Sequence, residues 1–205
     1  MLNIALTGNI AAGKSSVVEL FRQWGATIID ADRLVREVQR PGTEVMQAIA
    51  RRFGPGVILP GGELDRESLR ALVMDDPAAL ADLNAIVHPA VRRERDRLAA
   101  RARRRGDRIV VNDIPLLFEA ADPGEFDLVI LVDAPEAVRR ERLIRLRGMS
   151  PAAAESAIRA QHPPEAKRSR SDFIIENGGS LADLERHARE VWNRLEQRAR
   201  AAGNP

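Results

Sequence analysis

Gly8, Gly13, Lys14 and Ser15 carry the clearest chemistry in this chain, because the stretch GNIAAGKSS sets them at the spacing G-x-x-x-x-G-K-[ST]. In such a turn successive main-chain N–H groups face inward and cradle phosphate oxygens. A helix that starts there adds the positive end of its dipole. Asn9, Ile10, Ala11 and Ala12 fill the turn and Ser16 follows it, so residues 8–16 form the candidate loop for a nucleoside triphosphate. Lysine occurs only at positions 14 and 167 in a chain otherwise supplied with arginine. A compact ammonium on a flexible stem can sit as a point charge between the β and γ phosphates, where a planar guanidinium fits less well. The Ser15 hydroxyl suits a magnesium ion on the same phosphates.

Carboxylates at the ends of apolar runs come next. Asp30 and Asp32 close ATIIDAD two residues apart and share one face if the extended conformation persists. Asp113 follows RIVVN, where an acid at a strand end would reach a magnesium-bound water, although capping or solvating the strand end is the alternative.

These residues need a scaffold, and the hydrophobic pattern predicts one. LNIALTG reads as a buried strand, and KSSVVELFRQWG as a helix with Val17, Val18, Leu20, Phe21 and Trp24 on one side and Gly25 as its stop. ATIIDAD, RIVVNDIPLLF, DLVILVDA and DFIIEN supply four further strands. Strands alternating with helices predict a three-layer α/β/α fold with a mostly parallel five-stranded sheet, and ligands at the carboxyl ends of its strands. Residues 33–107 read as helix after helix, with PAALADLNAIV and an arginine-rich run from near Pro89 as separate segments, which predicts a helical insertion between the second and third strands. Residues 135–168 form a second helical excursion, with Ser150 and Pro151 at a helix start, and Ser180 with Asp183 resembles a capping box for the last helix.

The motifs in order, ALTGNIAAGKSS, IIDADRLVREV, LDRESLR, HPAVRRE, DIPLLFE and RAQHPPEAKRSRSDFIIENGG, resemble the dephospho-CoA kinase family over nearly the whole chain. That resemblance implies a P-loop kinase-like fold with a helical substrate-binding insertion and a helical lid. It implies ATP as phosphoryl donor, Mg²⁺, and attack by the ribose 3′-hydroxyl of dephospho-CoA. Asp32 is then the base or orienting group, with Asp30 left to a structural role. Arg66, His88 and Arg92 of the insertion, and Leu117 and Glu119 of the PLLFE segment, are expected to meet the acceptor, with plain core packing the alternative for the apolar members of that segment. Arg142 matches the lid arginine among the crowded Arg139, Arg140, Arg145 and Arg147, and Asn177 matches a position near the adenine. The loop departs from the family's usual pattern, which has glycine where Asn9 and Ala11 stand, serine at Ala12 and often threonine at Ser16. Asn tolerates positive φ at position 9, should it be needed, better than Ala does at position 11.

Composition narrows the alternatives. The chain of 205 residues has no cysteine and three scattered histidines, which removes thiolate zinc sites. No leader or long apolar run is present, so a cytoplasmic protein without a membrane span is expected. The run from Arg92 to Arg108 interleaves acids and no aromatics, which suits a solvated helix better than a nucleic-acid surface. A monomer or weak homo-oligomer is expected. Kinases of nucleoside monophosphates, shikimate or gluconate are the rival enzymes, but the DAD, HP and PLLFE set in this order is not expected of them.

Overall fold

Apolar, β-branched runs form a sheet in the protein, described here by a computed structural model over residues 1–201. β1 (Leu2–Gly8), β2 (Thr27–Asp30), β3 (Ile109–Asp113), β4 (Leu128–Asp133) and β5 (Phe173–Glu176) lie in the order β2-β3-β1-β4-β5. The pairs β1–β3, β1–β4 and β4–β5 are parallel. Alternation divides β1 between two cores. Ile4 and Leu6 join the core that holds Val17, Val18 and Phe21 of helix α1 (Lys14–Gln23), whereas Ala5 faces Leu117, Phe118, Phe126 and Val129 on the other side. Phe21 also stacks on Trp192, 5.3 Å between ring centroids, in the last helix. Burying those two rings stabilises the contact by roughly 2–3 kcal/mol each, and anchors the helix that carries the phosphate loop at its start.

The chain divides into two compact units, residues 1–29 together with the chain from Arg101 onward, and residues 30–100. The second unit contains helices α2 (Ala31–Val38), α3 (Glu44–Phe53), α4 (Arg66–Met74) and most of α5 (Pro77–Arg105), around Val45, Met46, Ile49, Leu69, Val73 and Val87. Three of these helices open on side-chain caps: Asp30, Thr43 and Asp65 accept from Arg33, Met46 and Ser68 amides. The first unit adds α6 (Leu117–Ala120), α7 (Glu136–Arg147), α8 (Pro151–Arg159), α9 (Pro164–Arg168) and α10 (Leu181–Ala201). Ser150 caps α8, and Ser180 and Asp183 exchange hydrogen bonds at the start of α10.

Three sequence expectations need correction. The ATIIDAD run does not stay extended: Asp30 turns the chain by capping α2, 2.9 Å from the Arg33 amide, so Asp30 and Asp32 do not share a strand face. The third strand ends at Asp113, and the expected continuation PLLF turns into α6 because Pro115 cannot donate to a sheet ladder. Finally, PAALADLNAIV and the arginine-rich run are one helix through Pro89. The proline removes one helical hydrogen bond, and burial of Val87 and Ala90 on either side holds the helix across the gap.

Candidate active site

β1 delivers the phosphate loop from the middle of the sheet, where connections leave to opposite sides and a crevice opens at the strand ends. Its last residue, Gly8, lies opposite Val132 of β4, and a Cβ there would come within 2.9 Å of the Val132 carbonyl oxygen. Gly13 takes φ 93°, and an added Cβ would meet Asn177 Nδ2 at 2.1 Å, so glycine is required by conformation and by space. No side chain caps α1, which leaves its first amides for a ligand. Position 9 does not use positive φ. Ala11 does, at φ 58°, a conformation that costs an alanine about 1–2 kcal/mol. Ala11→Gly is therefore expected to be nearly neutral for stability, relief of strain offsetting the lost methyl group and added chain entropy. Ala12→Gly, at a fully buried position without that strain, should cost about 1 kcal/mol or more. Thermal melts of the pair check this, and equal losses would contradict it.

Lys14 reaches across to β3, where its Nζ pairs with Asp113 Oδ1, both side chains about one-sixth exposed. The register explains the meeting, since Asp113 sits opposite Leu6 at the end of β3. Ser15 and Ser16 are exposed on the first turn of α1. Among the described residues, no group of three or more His, Cys, Asp or Glu side chains is placed to hold a metal ion. Magnesium carried by a triphosphate needs no such group, because one carboxylate, a hydroxyl, water and phosphate oxygens complete its octahedron. Ser15 and Asp113 fit that donor set.

The excursion from α7 to α9 grips the same loop. Arg142 Nη1 donates to the Ala11 carbonyl at 3.3 Å, and its Nη2 donates to the Asn177 carbonyl at 3.1 Å. Asn177 Nδ2 donates to the Ala12 carbonyl at 2.7 Å, so this buried residue acts on the loop's main chain. The Ile10 amide donates to Gln161 Oε1 at 2.7 Å, while Ile10 and Ala11 pack on Leu143, Ala154 and Ile158. Asn177→Ala would orphan the Ala12 carbonyl, with an expected loss of roughly 1–3 kcal/mol in stability. An increase of about tenfold in KM for ATP should accompany it, since a small displacement of the loop misaligns its amides. Steady-state kinetics and melts would show both, and an unchanged KM would separate Asn177 from nucleotide binding.

Below the loop, Asn9 Nδ2 donates to Asp133 Oδ1 at 2.8 Å, and Arg168 Nη1 donates to Asp133 Oδ2 at 2.8 Å. Arg168 also donates to Glu176 Oε1 at 2.6 Å. Sequence reasoning missed Gln161, Asp133 and Arg168. The signal for Asp133 was present, because DLVILVD ends in an acid as RIVVND does. Glu119 pairs with Lys167, 2.7 Å away, and accepts the His162 amide at 3.4 Å. Burial alone would raise the Glu119 carboxyl, but the adjacent ammonium and the amide outweigh it and hold the group below the usual carboxylate range. The depressed value means that this interaction supports the fold above the ordinary carboxylate pKa and fades as pH falls through the lowered one.

Leu117 is fully buried in the core beside β1 and β4. Asp32 is exposed in the first turn of α2. His88 and Arg92 are exposed one turn apart on α5, and Arg66 at the start of α4 donates to the buried Gln39 Oε1 at 2.8 Å. All four belong to the second unit. Arg139, by contrast, is buried and donates to the Ala134 carbonyl.

A phosphate loop at the centre of a parallel sheet, with a lysine and a strand-end acid beside it, defines a P-loop phosphotransferase. The comparisons narrow that class. The family model for dephospho-CoA kinase matches residues 2–183. The dephospho-CoA kinase of Leifsonia xyli subsp. xyli is 47% identical over 190 residues, covering 92% of this chain and 96% of its own. The one from Streptomyces avermitilis is 43% identical over 204 residues, covering 99% and 98%. A Thermus thermophilus protein of known crystal structure superimposes with a TM-score of 0.79 at 38% identity, covering 94% of this chain and 96% of that one. The chain belongs to the dephospho-CoA kinase family.

Proposed function

We infer that this chain carries out its family's reaction, transfer of the γ-phosphoryl group of ATP to the ribose 3′-hydroxyl of dephospho-CoA, giving coenzyme A and ADP. The observation that carries the reading is the uncapped start of α1 behind Gly13, with Lys14 beside Asp113. Residues 8–16 hold the triphosphate, and its negative charge draws the Lys14 ammonium from Asp113 onto the β and γ phosphates. Ser15 and Asp113 would hold Mg²⁺, which when bound would neutralise charge on the phosphates. Asp32 orients the attacking hydroxyl and takes its proton late, since a carboxylate is a weak base for an alcohol. Arg142 supplies positive charge from the lid, residues 135–168, by exchanging its loop carbonyl partners for phosphoryl oxygens.

On the acceptor side, Arg66, His88 and Arg92 of the helical insertion receive the anionic groups of dephospho-CoA, and Glu119 contributes from the β3–α6 stretch. Among the described residues, no helix is long and apolar enough to cross a membrane. A cytoplasmic enzyme, monomeric or weakly self-associating and without nucleic-acid affinity, fits these roles. A coupled ATP assay across dephospho-CoA, adenosine, nucleoside monophosphates and shikimate tests the reading. Turnover confined to dephospho-CoA is expected, and faster turnover of any other acceptor would overturn it.

A further inference from the structure

Of 32 cationic residues, only Lys14 and Lys167 are lysine, and the triphosphate accounts for the first alone. Lys167 is 1% exposed on α9, with Nζ 2.7 Å from Glu119 Oε1, a carboxylate whose side chain is 18% exposed. The approach lies off hydrogen-bond geometry, so the contact is chiefly ionic. Compared with apolar residues of equal volume such a buried pair adds little stability, because desolvating two charges offsets most of their attraction. Its presence therefore points to geometry. The ammonium has three donors to satisfy where a guanidinium would bring five into a space with few acceptors.

What the pair holds in place is specific. Glu119 lies on α6, six residues after Asp113, and Lys14 pairs with Asp113. The two lysines thus fasten two carboxylates of one short stretch, and between them Thr7 Oγ1 donates to the Pro115 carbonyl at 3.2 Å. Glu119 Oε2 is buried and has no hydrogen-bond partner among the described residues. One residue further along α9, Arg168 holds Asp133, which in turn holds Asn9 of the phosphate loop. Adjacent residues of one short helix therefore secure the acceptor stretch and the donor loop by separate contacts.

We propose that Lys167 is a positioning residue for acceptor binding, clamping Glu119 so that the β3–α6 stretch keeps a single geometry while the donor loop is held independently. This rests on the acceptor role given to Glu119 above. It predicts a split in the kinetics that a merely structural lysine would not produce.

In the full-length enzyme, Lys167→Met should raise KM for dephospho-CoA about tenfold or more, equivalent to ~1.4 kcal/mol, and leave KM for ATP within about twofold. Glu119→Gln should move KM for dephospho-CoA in the same direction. The double variant should be less impaired than the sum of the two, because neither charge is left buried alone. If Lys167→Met does not fold, Lys167→Arg, which keeps the charge but not the fit, carries the same test. A lowered melting temperature with both KM values unchanged, or equal rises in both, would sink the proposal. A wild-type enzyme that fails to phosphorylate dephospho-CoA would remove the substrate reading and this inference together, whereas an active wild type without the split removes only the role of Lys167.

Discussion

Lys14→Ala is expected to lower turnover by roughly 10²–10³-fold or more, the range seen when one preorganised electrostatic partner of the transition state is removed. The fold should survive. Lys14 and Asp113 are each about one-sixth exposed, so breaking their pair costs about 1–3 kcal/mol, between the ranges for an exposed and a fully buried pair. Alanine keeps α1 helical, and the loop's carbonyls remain held by Arg142 and Asn177. Lys14→Arg should recover little, since a planar fork does not enter a cradle built from main-chain amides. Activity, melting temperature and calorimetric ATP binding measured together decide the matter. Near-normal turnover in either variant would remove the loop from the mechanism.

Asp32→Asn is expected to slow the chemical step by about 10²–10⁴-fold while ATP binds as before. Asparagine keeps the shape and the helix turn, so only the charge and proton acceptor are lost, and the weakened interaction with the α2 dipole costs about 0.3–1 kcal/mol. The neighbouring acid is an internal control. Asp30 already spends its carboxylate on the Arg33 amide, a role asparagine also fills, so Asp30→Asn should leave kcat close to wild type. Single-turnover kinetics would report the contrast. An unimpaired Asp32→Asn, or a crippled Asp30→Asn, would reverse the two assignments.

That pair of acids shows how the reading divides between levels. The types and spacing of Asp30 and Asp32 were legible as candidates, but choosing a cap from a reacting group depended on where the strand stopped, and a run of apolar residues does not announce its last extended residue. Pro115 ended the third strand in the same way, and Pro89 failed to end a helix because burial on both sides overrode local preference. Lys167 was conspicuous only by its rarity. Its partner lies 48 positions away along the chain, and no local pattern connects the two.

Taken alone, the order of residues determined the phosphate loop, the alternation of strand and helix, and the family, because each depends on neighbours within a few turns of chain and on main-chain geometry that glycine, proline and β-branched residues impose directly. Only the folded sheet decided that β1 stands between β3 and β4, which brings Asp113 to Lys14 and Asp133 to Asn9. It also placed strained Ala11, and not Asn9, at positive φ, and turned Asn177 and Gln161 inward onto the loop. Strand order and long-range pairing follow from burying apolar surface across the whole chain, a requirement no short segment expresses by itself.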